Sequence, residues 1–173
     1  MLHGLDPFPP AEPLTPDQFK AAMRKLAAAV TLITVFGPGG RNGLTATAVC
    51  SLSAEPPQLL ACVNRGASAF ATLAATRVFA VNVLRPEQRV LAENFHRLPS
   101  GEARFAEGDW RWSPQGLPVL ADALTWFECR VAEVVPAATH GIVIGQVTAC
   151  ASGPGDHLLY AEGGYHALTR PKP

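Results

Sequence analysis

The chain has 173 residues, 48% of them hydrophobic, enough for one globular domain with a sizeable core. Its 14 Lys and Arg balance 14 Asp and Glu, so no basic excess points to a nucleic-acid partner, and little self-repulsion opposes association. No apolar run approaches the roughly 20 residues that span a bilayer, and the Pro-rich start lacks the basic and apolar blocks of a signal peptide. Residues 1–14 read as a flexible tail on a single domain over residues 15–169 of a cytoplasmic protein. Cys50, Cys62, Cys129 and Cys150 stand singly in mostly apolar stretches and read as buried free thiols. The five histidines form no metal-ligand spacing, so no metal site is expected.

Thr15-Pro16-Asp17-Gln18 combines a cap, a proline at the first helical position and a glutamine three residues after the cap. Phe19, Met23, Leu26 and Ala27 follow at helical spacing, which predicts a helix ending near Ala29. Val30 to Phe36 is a β-branched, apolar run that predicts a buried strand. The turn Gly37-Pro38-Gly39-Gly40-Arg41-Asn42-Gly43 then returns the chain into an antiparallel neighbour. This turn does not fit Gly-x-Gly-x-x-Gly and leads into a strand, so it is no Rossmann dinucleotide site.

From Leu44 to Ser53 the residues alternate. Thr45, Thr47, Val49, Ser51 and Ser53 share one face of an extended segment; Leu44, Ala46, Ala48, Cys50 and Leu52 share the other. A row of hydroxyls, each able to donate and accept, suits either the wet face of an antiparallel strand or the wall of a polar cofactor site.

Gln58 to Asn64 reads as a third strand, and Ser68 as the cap of a helix through Ala75. Val78 to Leu84 reads as a fourth strand. Pro86 opens a helix with Val90, Leu91 and Phe95 on its inner side. Arg97 to Gly116 has no period and reads as a long loop, with Trp110 and Trp112 as anchors or dimer contacts. Leu124 to Val135 pairs with Ile142 to Cys150 across a turn at 136–141, with Glu128 and Arg130 as a surface or interface ion pair. Leu158 to Tyr160 and Tyr165 to Leu168 close the chain. Strands outnumber helices and connections are short, which indicates a mainly β fold, an antiparallel barrel or sandwich with attached α-helices.

The segment Leu44-Thr45-Ala46-Thr47-Ala48-Val49-Cys50-Ser51-Leu52-Ser53 resembles the flavin-binding strand of the flavin reductase-like domain family, the small reductase components of two-component flavin-dependent monooxygenases. Met23-Arg24-Lys25-Leu26-Ala27, Cys62-Val63-Asn64-Arg65, Phe79-Ala80-Val81-Asn82-Val83-Leu84, Arg104-Phe105, Trp126-Phe127-Glu128-Cys129 and Thr139-His140-Gly141-Ile142-Val143-Ile144-Gly145 fall in family order. The resemblance covers Phe19 to Leu168. It implies a six-stranded antiparallel Greek-key split β-barrel of the FMN-binding type, usually a homodimer, that binds FMN or FAD.

By the same resemblance, Thr45, Ala46, Thr47, Cys50 and Ser51 match positions at the flavin ring and ribityl chain, and Val63 and Asn64 match the strand end near the ring. Ser68 matches the phosphate-binding turn, Asn94 and Phe95 a pair near the flavin tail, His140 a histidine at the nicotinamide site, and Tyr165 an aromatic residue of the same pocket. The turn here reads Gly66-Ala67-Ser68-Ala69-Phe70, with a single hydroxyl where the family carries several. Phosphate then depends on backbone N–H groups, on the helix start, or on Arg65 or Arg104. The implied activity is an NAD(P)H-dependent flavin reductase, passing a hydride from NADH or NADPH to FMN or FAD and supplying reduced flavin to an oxygenase. The alternatives are a flavoprotein with tightly bound FMN that reduces a quinone or corrinoid, and a non-catalytic flavin- or tetrapyrrole-binding barrel.

Overall fold

The computed structural model describes residues 13–168; all but the end of the Pro-rich stretch at 1–14 lies outside them. The expected capping box opens helix α1 (Pro16–Met23): the Thr15 hydroxyl accepts from the Gln18 N–H at 3.2 Å, and the Gln18 side chain accepts from the Thr15 N–H at 2.9 Å. The helix stops well short of Ala29. It buries no residue, and a helix without tertiary packing is marginal at this length. Strand β1 (Ala28–Ala29) instead pairs with a strand near the end of the chain.

Strands β2 (Thr31–Gly37) and β3 (Gly40–Ala46) form the hairpin expected of the glycine-rich turn. The alternating hydroxyl segment is not one strand: it breaks after Ala46 and resumes as β4 (Val49–Ala54). Strand β5 (Pro57–Asn64), helix α2 (Ser68–Thr76) and strand β6 (Val78–Val83) follow. A 3₁₀ turn at Pro86–Gln88 leads into α3 (Arg89–Arg97), which buries Leu91, Ala92 and Phe95 and leaves Val90 in solvent. The 97–116 stretch is not a bare loop. It contains a 3₁₀ turn at Glu102–Phe105 and β7 (Trp110–Trp112), paired with β8 (Pro118–Leu120). Strands β9 (Thr125–Ala137) and β10 (His140–Ser152) form a long hairpin, and β11 (His157–Ala161) and β12 (Gly164–Leu168) a short one.

The fold is mainly β. Seven antiparallel strands pair in the order β3-β2-β6-β9-β10-β5-β4. The two edge strands, β3 and β4, are consecutive in the chain and joined only by Thr47-Ala48. Three residue steps reach at most about 11 Å, so the edges of the sheet are drawn together and the sheet curls on itself.

The curled sheet encloses Ile33, Val35, Ala61, Val63, Phe79, Val81, Cys129 and Val143, and α2 adds Ala69 and Leu73. On the outer face of β2, Val30 and Leu32 pack with Leu91, Ala92 and Phe95 of α3 and with Phe105. Phe95, Phe105 and Trp110 stack together, so Trp110 anchors its loop as expected. Trp112, 58% exposed, packs edge-on against Phe36 at 5.0 Å. Close approach of α3 rests on Gly43, where an added Cβ would lie 2.6 Å from the Ile33 carbonyl and 2.8 Å from the Phe95 ring.

Two polar side chains inside the fold are fully partnered. Asn82 donates to the Leu32 carbonyl and the Thr34 hydroxyl, each at 3.2 Å, and accepts from the Leu120 N–H at 2.8 Å. This ties β8 to the sheet. Glu128 does not form the expected ion pair with Arg130: it is 1% exposed. It accepts from the Gln115 N–H and side chain at 2.8 Å each and from Thr148 Oγ1 at 2.9 Å. Burial alone would raise its carboxyl, but hydrogen bonds from Ser113, Gln115 and Thr148 hold it below the usual range. The thiols also differ from expectation. Cys50 and Cys150 are exposed, while burial and the adjacent Glu128 push Cys129 up to about 12.

Candidate functional site

The break at Thr47-Ala48 distributes the hydroxyl row over two cavities. Thr45, Ala46 and Thr47 line a pocket of about 210 Å³ with Val30, His96, Tyr160 and Tyr165. Cys50, Ser51 and Ser53 instead line an apolar opening of about 400 Å³ at one end of the curled sheet, beside Leu59, Phe127 and Val147. Alternation within a strand cannot register this change, because it arises where the chain leaves the β2 ladder and joins β5. Cys50 and Leu52 are exposed because they share the outer face of the edge strand β4, whereas Val49 on the other face packs against the core.

The first pocket is built by three elements. The end of β3 supplies Thr45 and Ala46. Helix α3 lies beside it, held by Thr45 Oγ1, which donates to the Ala92 carbonyl at 2.8 Å. That hydroxyl has spent its proton and offers a ligand only lone pairs. Thr47 is exposed and has no side-chain hydrogen bond among the described residues, so it is free to donate and accept.

The third wall is the β11–β12 hairpin. Its two-residue turn, Glu162-Gly163, has φ of 54° and 79°, the doubly left-handed geometry that matches strand twist. The register sets Tyr160 opposite Tyr165, with the rings 5.3 Å apart. Arg89 of α3 lies over the Tyr165 ring at 5.3 Å. Burial, with Glu93 and Tyr160 nearby, raises the Tyr165 phenol against the opposing effect of Arg89, so it stays neutral. His96 carries no signal in the sequence and Tyr160 only a weak one; the hairpin's return to α3 brings both here. The spacing of Tyr160 and Tyr165 about Gly163-Gly164 was the one available hint.

His140 is not in this pocket. It is the first residue of β10 rather than a turn residue, and it pairs across to Asn64 at the end of β5. Its Nδ1 sits 2.9 Å from Thr139 Oγ1. A neighbouring cavity joins Asn64, Arg65, Gly66, Phe70, Ala138 and Thr139. The two regions meet through the backbone: the Cys62 N–H donates to the Ala48 carbonyl at 2.9 Å. From there Asn64 is two residues, about 7 Å, along β5, and His140 one strand spacing further, about 4.8 Å.

Other expected contacts fall differently. Val63 is fully buried in the core and lines none of these cavities. Ser68 does not cap α2; the capping position is Ala67, without a side-chain bond, and Ser68 Oγ accepts from Asn42 Nδ2 at 3.2 Å. Phe95 is 1% exposed and packs in the core, so its ring does not reach the pocket. Asn94 is half-buried on α3. Arg104 is committed to the Leu98 and Gly43 carbonyls.

A curled β-sheet with a hydroxyl- and tyrosine-lined pocket at its seam defines a mainly β protein with a candidate site for a polar ligand. The family model described as "Flavin reductase like domain" matches residues 23–169, and the chain belongs to that family. An FMN reductase (NADH) RutF of Methylorubrum extorquens is 44% identical over 161 residues, covering 92% of this chain and 78% of the relative. The NADH:FAD oxidoreductase SgcE6 of Streptomyces globisporus superposes with a TM-score of 0.85 at 30% identity, covering 94% of this chain and 100% of that one. BorF, the flavin reductase component of a bacterial two-component tryptophan halogenase, superposes with a TM-score of 0.84 at 27% identity, covering 91% and 100%.

Proposed function

We infer that this chain is an NADH-dependent flavin reductase of residues 15–169 that reduces FMN and releases it to a separate oxygenase component. The observation that carries this reading is the pocket at the seam, where Thr45, Ala46 and Thr47 face Tyr160 and Tyr165. FMN and NADH are favoured over FAD and NADPH because the relatives at 40–44% identity are named FMN reductase (NADH), whereas SgcE6, an NADH:FAD oxidoreductase, is 30% identical. Reliance on NADH accords with a cytoplasmic setting.

In this reading β3 and β4 count as one bent strand, which makes the seven-stranded ladder the six-stranded split barrel of the family. Apolar surface left bare at Phe19 and Met23 on α1 and Leu52 on β4 supports a homodimer. The oxygenase partner accords with BorF being one component of a two-component system.

The residues present suit a flavin. Its polar ring edge asks for hydrogen-bond partners without charge, and Thr45 accepts while Thr47 does both. When bound, the flavin supplies the hydride-accepting chemistry. The chain's own task is orientation, since reacting atoms must be held about 3–3.5 Å apart. Thr45, Thr47 and the backbone at Ala46 fix the flavin edge. Cys50 and Ser51 continue beyond the seam along β4, with Asn64 at the end of β5, while Ser68 and the half-buried Asn94 flank the tail. His140, with Nδ1 turned to Thr139, presents Nε2 to the nicotinamide amide, and Tyr165 shields the ring site from water.

NADH oxidation followed at 340 nm with and without added FMN tests the reading. Turnover that depends on added flavin is expected, and oxidation independent of flavin would refute it. The Thr47→Val variant is expected to weaken FMN binding by about 0.5–1.5 kcal/mol, one net hydrogen bond, as read by fluorescence titration. His140→Ala is expected to raise the NADH KM several-fold while the FMN dissociation constant stays near that of the parent, measured by stopped-flow and titration.

A further inference from the structure

The seam pocket does not end at Tyr165. His96, Tyr160 and Tyr165 also line a second cavity of about 530 Å³, together with Arg89, Glu93, Arg97, Gly163 and Gly164. The two form one trough along α3. The end at Thr45–Thr47 carries hydroxyls, and the charged side chains Arg89, Glu93 and Arg97 line the other end. These do not all remain available. Arg89 is bridged to Glu93 at 2.7 Å and lies over Tyr165, so the two charges cancel locally. Arg97 is exposed and has no carboxylate partner among the described residues. His96 lies beside it, with a ring that donates from either nitrogen. Ala92, whose carbonyl holds Thr45, is five residues before Arg97, about 7.5 Å along the helix. An exposed arginine is the side chain best matched to phosphate, through its planar set of N–H donors.

The other candidates for this task are occupied or distant. Ser68 is engaged with Asn42, Arg104 with two carbonyls, and Arg41 with Glu102 at 2.6 Å. Arg65 belongs to the cavity beside Thr139. We propose that Arg97, with His96, binds the phosphate of a nucleotide whose ring lies at Thr45–Thr47, taking over the role that the hydroxyl-poor turn at 66–68 performs weakly. This rests on the reductase reading above. The phosphate belongs either to the flavin or to the nicotinamide dinucleotide, and each has a phosphate-free counterpart that separates them.

The test compares Arg97→Ala and Arg97→Lys with the parent in steady-state assays on FMN, riboflavin, NADH and reduced nicotinamide riboside. In Arg97→Ala the KM for one phosphate-bearing substrate is expected to rise about tenfold, as for loss of one charged hydrogen bond. Its phosphate-free counterpart keeps its KM, kcat stays within about twofold, and Arg97→Lys recovers part of the loss. A rise confined to FMN assigns the flavin phosphate; a rise confined to NADH assigns the pyrophosphate. Equal shifts for a substrate and its phosphate-free counterpart, or no shift, would overturn the proposal. Absence of NADH-dependent flavin reduction in the parent would instead overturn the reductase reading. Titration of FMN against riboflavin then decides the Arg97 assignment without turnover: an FMN-only loss in Arg97→Ala supports it, and equal affinities overturn it.

Discussion

Phe79→Ala is expected to cost about 3–5 kcal/mol of stability, the range for truncating a buried aromatic ring. Phe79 is fully buried in the curled sheet, and its ring presses on Gly145 so closely that a Cβ there would lie 2.6 Å from it. The facing strands cannot collapse into the space left without breaking the β6–β9 and β9–β10 ladders. Chemical denaturation with an unchanged m-value and a lower midpoint is the expected outcome. A loss below about 1 kcal/mol would show that the interior repacks freely, against the close packing of protein cores.

The second large effect lies at the joint between packing and site. Gly43→Ala is expected to destabilise by about 1–3 kcal/mol, because the new methyl meets a backbone carbonyl and the Phe95 ring with no room to give. Unlike Phe79→Ala, it also acts on the pocket. Phe95 seats α3 against β3, and His96 and Arg97 follow it on the same helix. Displacing α3 shifts those residues away from Thr45 and Thr47. The variant is therefore expected to show a raised FMN KM at temperatures well below its Tm. Parent-like flavin kinetics in a destabilised Gly43→Ala protein would mean that α3 does not set the pocket's width.

Much of the fold was legible wherever local signals and tertiary needs agree. The capping box at Thr15, the glycine-rich hairpin before Gly43 and the buried strand from Val78 appear almost where the residues place them. Disagreement begins where distant contacts decide. Residues 44–53 alternate as one strand should, yet β3 answers to β2 and β4 to β5, and the chain must turn between them. Glu128 beside Arg130 has the pattern of a surface pair, but the segment from Ser113 to Leu117 folds over it and, with Thr148, supplies its partners.

The site divides in the same way. Thr45, Ala46 and Thr47 share a pocket with Tyr165, which the family pattern groups instead with His140 at the nicotinamide site. Phe95 obeys helical spacing and is core for that reason. His96 has no local signature, since a single exposed histidine on a helix gains meaning only when the β11–β12 hairpin arrives from the far end of the chain. Arg97 was hidden likewise.

Thr47 lines a pocket, and Thr47-Ala48 is the direct link between the two margins of the sheet. Splaying those margins and emptying the pocket are therefore one event rather than two. A ligand bound at this seam would stabilise the closed form against opening by RT ln(1 + [L]/Kd). Amide exchange across β4 and β5 is then expected to slow as ligand concentration rises.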